Sequence, residues 1–218
     1  MQFCKSIIHF GVIGASIVAA SLPARALVVT YTDRDAFLAA LSSSSTDNYN
    51  DLSLGFVTSP LNRTITDYTY NATATGGLYT GTVNGSTVLS TNTEDTALTL
   101  NFTAGAPTAV GGYFFNTDLR FNVLNRVITV TANPGASAQS VVTGSATNFF
   151  GWLDDSGTPF TSLVIAPSSG SWATVDNLVL GQAASAAQVP GPLPVLGLVV
   201  AFSFSRRLRS RIAAARHR

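Results

Sequence analysis

LYTGTVNGSTVLS, residues 78–90, carries the clearest structural signal in the chain. Two runs rich in β-branched and apolar residues, Leu78–Val83 and Ser86–Ser90, flank the dipeptide Asn84-Gly85. Asn-Gly between such runs favours a type I′ turn, because both central residues of that turn need a positive φ. The segment therefore predicts a tight antiparallel β-hairpin.

Short strand-like segments continue on both sides of this hairpin. In Thr96–Thr103, apolar and polar residues alternate, which is the period-two pattern of a half-buried strand. Further strands are predicted at Leu27–Thr32, Tyr49–Phe56, Thr64–Tyr70, Val110–Phe115, Arg126–Ala132, Ser140–Thr143, Asn148–Leu153, Phe160–Ile165 and Trp172–Leu180. About ten to twelve short strands at this spacing indicate an all-β fold, an antiparallel β-sandwich of the jelly-roll type over residues 27–180.

One helix and one loop interrupt the strand pattern near its start. Asp33 is a suitable N-cap for a short helix at Arg34–Leu41, whose apolar residues form one stripe. Ser42–Thr46 is polar and is predicted to be a loop. Gly111-Gly112, inside a strand, predicts a bulge or a close approach of two backbones.

The stretch from residue 27 to residue 188 is acidic, although the whole chain has a formal net charge of +1. It contains four arginines and eleven carboxylates, for a net charge of −7, and it contains no Cys, His or Lys. Nucleic-acid binding depends on Lys and Arg, so a nucleic-acid partner is not expected. The missing residue types also exclude disulfides, Ser-His-Asp and Cys-His nucleophiles, and His/Cys zinc sites, whereas metals with oxygen ligands stay open.

Residues 1–26 have the three parts of a secretory signal peptide. Lys5 supplies the positive start, and Ile7–Ala20 forms the apolar centre. Ala24 and Ala26 then occupy the small-residue positions of an A-x-A cleavage site. We expect cleavage after Ala26, and a retained N-terminal anchor is the alternative.

The C-terminal end combines prolines, an apolar run and a basic cluster. An Ala- and Ser-rich linker at residues 181–188 leads to the motif Val189, Pro190, Gly191, Pro192, Leu193 and Pro194. The uncharged run Val195–Phe204 follows, and it is closed by Arg206, Arg207, Arg209 and Arg211. The run is short beside the roughly 20 residues of a full span, but arginine side chains extend its effective length. We expect a single membrane-anchoring helix with a cytoplasmic C-terminus, and a core helix of a soluble domain is the alternative.

This end segment resembles the sorting signal of PEP-CTERM proteins. It has the Val-Pro-Gly-Pro-Leu-Pro variant of the motif that is common in cyanobacterial members, with Gly191 where Glu is usual. The resemblance implies that the protein is exported, held transiently in the inner membrane and cut by an exosortase-type membrane protease. It would then be released to the cell surface or the extracellular polysaccharide matrix.

The body is similar to a recurrent body of PEP-CTERM proteins, which look like the jelly rolls of carbohydrate-binding modules. The matching segments are residues 33–41, 111–118, 150–152, 159–163 and 174–178. The resemblance implies the fold and, through it, a possible polysaccharide partner.

Aromatic residues provide candidate contacts with sugar rings. Trp152 and Trp172 are candidates for stacking if they are exposed, and core residues if they are buried, which is the commoner fate. The adjacent phenylalanines at 114–115 and 149–150 point to opposite faces of a strand, so one ring of each pair is a candidate for exposure.

Carboxylates provide candidate ligands for one cofactor, a structural Ca²⁺ ion. Asp118 and Asp176 are the candidates, with an ordinary outward-facing or turn position as the alternative. Calcium needs about six to eight oxygen ligands, and the sequence does not identify a full set. Asp154-Asp155 is interpreted as a polar turn, since adjacent carboxylates in a strand point apart.

Together these features predict an exported, non-catalytic surface or matrix protein that binds glycan, with no catalytic residues assigned. Two alternatives stay open: a carboxylate-based enzyme acting on polysaccharide, and a structural coat component without a ligand site. A glycosidase would need two carboxylates about 5–10 Å apart across a cleft. The presence of such a pair would distinguish the enzyme from the glycan-binding protein and the coat component.

Overall fold

The structure, a computed structural model, describes residues 28–133 and 139–184. The predicted signal peptide and the predicted sorting segment, with their cleavage site, proline motif and arginines, lie outside the described residues. The described part contains the helix α1 (Arg34–Ala39). Its strands are β1 (Val28–Tyr31), β2 (Leu41–Asp47), β3 (Gly55–Val57), β4 (Leu61–Ile65), β5 (Tyr68–Thr73), β6 (Leu78–Val83), β7 (Ser86–Thr91), β8 (Leu98–Ala104), β9 (Ala109–Thr117), β10 (Val123–Leu124), β11 (Arg126–Asn133), β12 (Gln139–Thr143), β13 (Phe149–Asp154), β14 (Ser162–Ala166) and β15 (Trp172–Ala183).

The strands form two antiparallel sheets. The larger sheet has the order β1-β13-β9-β15-β7-β6-β3, with β10 beside β9 and β2 beside β15. The smaller sheet has the order β12-β11-β14-β8-β5-β4. The prediction of an all-β, antiparallel sandwich is confirmed.

The main core lies between the two sheets. Val110, Phe114 and Val175 contribute to it from the larger sheet, and Ile128 and Leu163 from the smaller one. In β8 and β11 the buried residues alternate with less buried ones, as the period-two pattern predicts. Alternation therefore assigns one face of each sheet to the core and leaves the other as an outer face.

Two local motifs have the geometry that the sequence predicts. Asn84 and Gly85 have φ values of 52° and 84°, as a type I′ turn requires, and they join β6 to β7. Asp33 caps α1, since its side chain accepts a hydrogen bond from the backbone N–H of Ala36 at 2.7 Å. At Gly111 a Cβ would lie 2.9 Å from the carbonyl oxygen of Phe150, which confirms the predicted close approach.

The outer face of the larger sheet is covered in two places. α1 packs Phe37 against Phe149 with their ring centroids 5.4 Å apart. A second apolar cluster contains Phe115 and has Phe121 and Val123 packed against it from the segment after β9. The expectation of one exposed ring in each phenylalanine pair is therefore wrong, because the outward ring of each pair is buried under these elements.

β2 is a strand where a loop was predicted. Its four consecutive serines give no apolar alternation, yet it pairs with the second half of β15, starting at Asp47 opposite Leu178. The Ser42 hydroxyl also bonds to the backbone carbonyl of Gln182. Backbone pairing decides this strand, since it pairs with β15 alone among the described strands and buries little on its own.

Several boundaries differ from the prediction. The helix predicted at Arg34–Leu41 ends at Ala39, because Leu41 already pairs with β15 as the first residue of β2. Residues 181–183 belong to β15, so the linker predicted at 181–188 begins inside a strand. The segment Thr64–Tyr70, predicted as a single strand, contains the turn between the end of β4 and the start of β5. Of the strand predicted at Tyr49–Phe56, only the last two residues lie in a strand, which is β3. None of the helical structure in residues 28–133 and 139–184 has the length and apolar content of a membrane span.

Candidate functional site

A cleft of about 520 Å³ opens on the outer face of the larger sheet. Residues of β6 and β7 line it together with the end of β9, the start of β15 and the segment that precedes β3. Three aromatic residues, Tyr79, Phe121 and Trp172, are among the lining residues. We call this feature the aromatic cleft.

Trp172 is the first residue of β15 and lies opposite Thr117 of β9. Its neighbour Ala173 is part of the core, so alternation turns the indole to the outer face. The indole Nε1 donates to the backbone oxygen of Asn92 at 3.4 Å. Trp172 is partly exposed, and the structure therefore places this predicted stacking candidate in the aromatic cleft.

Tyr79 and Phe121 form an aromatic pair with ring centroids 6.0 Å apart and an interplanar angle of 36°. Tyr79 points outward from β6 and is 38% exposed. The Phe121 ring lies over Gly81, where a Cβ would be 2.3 Å from it. Sequence reasoning missed both rings, and the available signal was a glycine inside an otherwise regular strand.

Asp118 shapes the loop that carries Phe121. Its Oδ1 accepts from the backbone N–H groups of Arg120 at 2.8 Å and Asn122 at 2.9 Å, and its Oδ2 accepts from Asn122 Nδ2 at 2.8 Å. The bond from Asn122 is the main reason that the pKa of Asp118 is lowered. Asp118 is therefore ionised at neutral pH. The loop that it stabilises holds Phe121 at a φ of 64°, a strained value for a bulky residue.

A row of three buried hydroxyls crosses the sheet beneath the aromatic cleft. Thr117 and Thr174 lie 2.9 Å apart, Thr174 and Ser90 lie 2.9 Å apart, and the Ser90 hydroxyl is 3.1 Å from the carbonyl oxygen of Ala173. All contacts are satisfied together only if Ser90 donates to Ala173, Thr174 to Ser90 and Thr117 to Thr174. The row ties β9, β15 and β7 together without leaving a proton unpaired.

Trp152, the second predicted stacking candidate, is a core residue. It is 0% exposed and packs against Phe114 and Phe150, with ring centroids 6.2 Å and 6.4 Å away. Its strand pairs on both sides, with β1 and β9, and its side chain points between the sheets. Trp152 cannot stack on a sugar, so the alternative of a buried aromatic holds here.

Asp176, the second candidate calcium ligand, lies away from Asp118. It pairs with Tyr113, whereas Asp118 is five residues further along the chain, one past the residue opposite Trp172, so the two residues are about 16 Å apart along the strand direction. Its Oδ1 is buried without a hydrogen bond, and burial raises its pKa. Among the residues that the structure describes, no group of three or more His, Cys, Asp or Glu could hold a metal ion. Calcium at either carboxylate stays a prediction.

The polar turn predicted at Asp154-Asp155 is present. Asp154 is buried at the end of β13, and its Oδ1 accepts hydrogen bonds from the backbone N–H and the hydroxyl of Ser156. The carboxylate closes the turn, which is a structural use.

A charged cluster that the sequence did not reveal links the two sheets. Arg63 of β4 donates to both oxygens of Asp47, at 2.8 Å and 2.7 Å, and to both oxygens of Asp51, at 2.7 Å and 2.8 Å. Tyr70 donates to Asp47 at 2.8 Å. Asp47 and Tyr70 are buried, and the Asp47 bonds are the first cause of a raised pKa for Arg63. The cluster fixes β2 to the smaller sheet.

Comparison of the sequence with protein-family models and with curated proteins gave no match.

Proposed function

We propose that this chain is an exported, non-catalytic glycan-binding protein of the cell surface or extracellular matrix. Its sandwich is of the jelly-roll type, and its C-terminal PEP-CTERM tail is recognised by an exosortase-type protease after transient anchoring in the inner membrane. The aromatic cleft supports the binding part of the proposal, and the two terminal sequence signals support the sorting part.

The chemistry of the aromatic cleft suits a sugar. A pyranose ring has apolar C–H faces and a rim of hydroxyl groups, so it packs on aromatic rings and bonds to a few polar groups. The cleft offers the rings of Trp172, Tyr79 and Phe121 beside the polar side chains of Asn92 and Asp118. Apolar walls with a few polar groups in a volume of about 300–1,000 Å³ are typical of small-molecule sites.

The carboxylate content of the aromatic cleft favours binding over hydrolysis. Glycoside hydrolysis generally uses two carboxylates placed on either side of the scissile bond. Asp118 is the one carboxylate among the described lining residues, and three hydrogen bonds commit it to its loop.

The test of glycan binding is a glycan array probed with the mature chain and two variants. Trp172→Ala should weaken binding about tenfold or more, as removal of a central aromatic anchor does. Phe56→Ala is the matched control, because Phe56 is an exposed aromatic beside the cleft that does not line it. Binding to no glycan at all would favour the structural coat component instead.

The test of sorting is fractionation of the native cells followed by mass spectrometry of both protein ends. We expect a mature N-terminus at Leu27 and a C-terminus within or near residues 189–194. An intact chain recovered from the cytosol would contradict the sorting part and leave the binding part standing.

A further inference from the structure

We propose that the aromatic cleft selects neutral and amine-bearing sugars over uronates, and that Asp118 is the residue that sets this preference. The inference rests on the glycan-binding function proposed above and names the class of glycan.

The charge of the cleft is negative. Asp118 is the charged residue among the described lining residues, and no Arg, Lys or His lines the cleft with it. Arg120 does not line the cleft; it lines a separate polar depression with Asn84 and Ser145, and Phe121 borders both features. A ligand in the cleft therefore contacts a lining that includes the carboxylate and not the arginine.

The hydrogen bonds of Asp118 leave it one acceptor position. An ionised carboxylate has room for about four hydrogen bonds, two on each oxygen. Oδ1 takes two, from Arg120 and Asn122, while Oδ2 takes one, from Asn122 Nδ2. The remaining position on Oδ2 accepts a proton donor, which a sugar hydroxyl or an ammonium supplies and a uronate carboxylate does not.

Asn92 also lines the cleft and provides a second acceptor. Its side-chain nitrogen donates to the backbone oxygen of Gly76 at 3.0 Å, and its backbone oxygen accepts from Trp172. Its side-chain oxygen accepts no hydrogen bond from the described residues, so it can accept one from a ligand. Asp118 and Asn92 thus each offer an acceptor position to a ligand that donates hydrogen bonds.

The apolar rim strengthens the effect of the charge. Leu119, which is 75% exposed, follows Asp118 directly, and Leu54, which is 63% exposed, lines the same cleft. A ligand that covers these side chains excludes water beside the carboxylate, and a lower local dielectric increases the energy of charge–charge contacts. The net charge of −7 over residues 27–188 adds repulsion of anions at longer range.

The test is a series of oligosaccharides with one linkage, built from glucosamine, N-acetylglucosamine, glucose or glucuronic acid. We expect glucosamine to bind best, the two neutral sugars next and glucuronic acid worst, with about threefold to tenfold between charge classes at low salt. The differences should shrink at 1 M salt, where charges are screened beyond about 3 Å.

Two variants assign the preference. Asp118→Asn keeps an oxygen for the N–H groups of Arg120 and Asn122 but removes the charge, so the ratio of glucosamine to glucuronic acid affinity should fall toward one. Arg120→Gln removes the neighbouring cation and should widen the same ratio. Melting curves show that each variant is folded, and the salt series on the unaltered chain gives an independent readout.

Three results overturn the proposal. If glucuronic acid binds as tightly as glucose, the proposal is overturned while glycan binding stands. An affinity ratio that is unchanged in Asp118→Asn also overturns the proposal. Binding of no member of the series overturns this proposal, and the proposed function falls with it only if the glycan array is also blank.

Discussion

Gly81 is a residue whose missing side chain builds the aromatic cleft. The Phe121 ring occupies the space above it, in contact with Tyr79, and a Cβ would meet that ring at 2.3 Å. Gly81→Ala should therefore displace Phe121 and destabilise the fold by about 1–3 kcal/mol, the range of overpacked sites. Urea denaturation of the variant and of the unaltered chain measures this loss of stability.

The control for this substitution is the double variant Gly81→Ala with Phe121→Ala. If the clash is the cause, the double variant is no less stable than Phe121→Ala alone, so the two effects are strongly non-additive. Strictly additive losses would show that Gly81 matters for another reason.

The two tryptophans carry similar sequence signals but differ in structure, and their substitutions should differ accordingly. Trp152→Ala should cost about 3–5 kcal/mol of unfolding free energy, because it opens a cavity in the main core. Trp172→Ala should cost much less stability while it weakens glycan binding, because its indole is partly exposed at the cleft. Equal losses of stability would contradict these placements.

The buried carboxylate of Asp176 has a pKa raised by burial, which fixes the sign of its pH dependence. The folded state holds its proton more tightly than the unfolded chain, so this group contributes stability below its ordinary pKa, and that contribution is lost as the pH rises through the raised value. Asp176→Asn should therefore gain stability relative to the unaltered chain as the pH rises above about 4, the ordinary value for an aspartate. Chemical denaturation at a series of pH values from acid to neutral measures the gain.

Asp118→Asn is the opposite case and serves as the comparison. The pKa of Asp118 is lowered, so its contribution to stability is present above the ordinary value and lost as the pH falls through the folded value. The variant should be less stable than the unaltered chain at neutral pH and should approach it in acid. The same sign for both variants would contradict the assigned environments.

At the scale of elements, the sequence predicts those parts whose signal is local. The hairpin at Asn84-Gly85 and the helix capped by Asp33 depend on turn and cap chemistry within a few residues, and both are present. β2 could not be predicted, because a run of serines has no periodicity and the partner strand β15 lies over 130 residues away. The turn between β4 and β5 was hidden for a related reason, since it falls within a run that alternates like one strand.

The joint between β2 and β4 is the element-scale contact that should matter most for stability. Arg63→Ala would leave the buried Asp47 without its guanidinium partner, and breaking a buried pair in this way costs about 3–5 kcal/mol. Asp51→Asn is the matched control, because Asp51 is 64% exposed and its contact with Arg63 should contribute less than about 1 kcal/mol. Similar losses in both variants would show that the buried pair has no special role.

At the scale of the whole molecule, the candidate site could be predicted only in part. Trp172 was identified, but Tyr79 and Phe121 come from distant parts of the chain, and only the pairing of β6, β7, β15 and β9 brings the three together. Trp152 has the same composition signal and the opposite environment, which only the position of β13 inside the sheet decides. The two calcium candidates lie apart for the same reason of register, Asp176 within β15 and Asp118 just past the end of β9.

The most direct measurement uses the fact that the chain contains two tryptophans. In a Trp152→Phe variant, the fluorescence comes from Trp172 alone, and a soluble quencher such as acrylamide reports its accessibility. We predict that a bound neutral oligosaccharide shields Trp172 from quenching at the concentrations at which it binds. Quenching of Trp172 that is unchanged by saturating glycan would contradict glycan binding in the aromatic cleft.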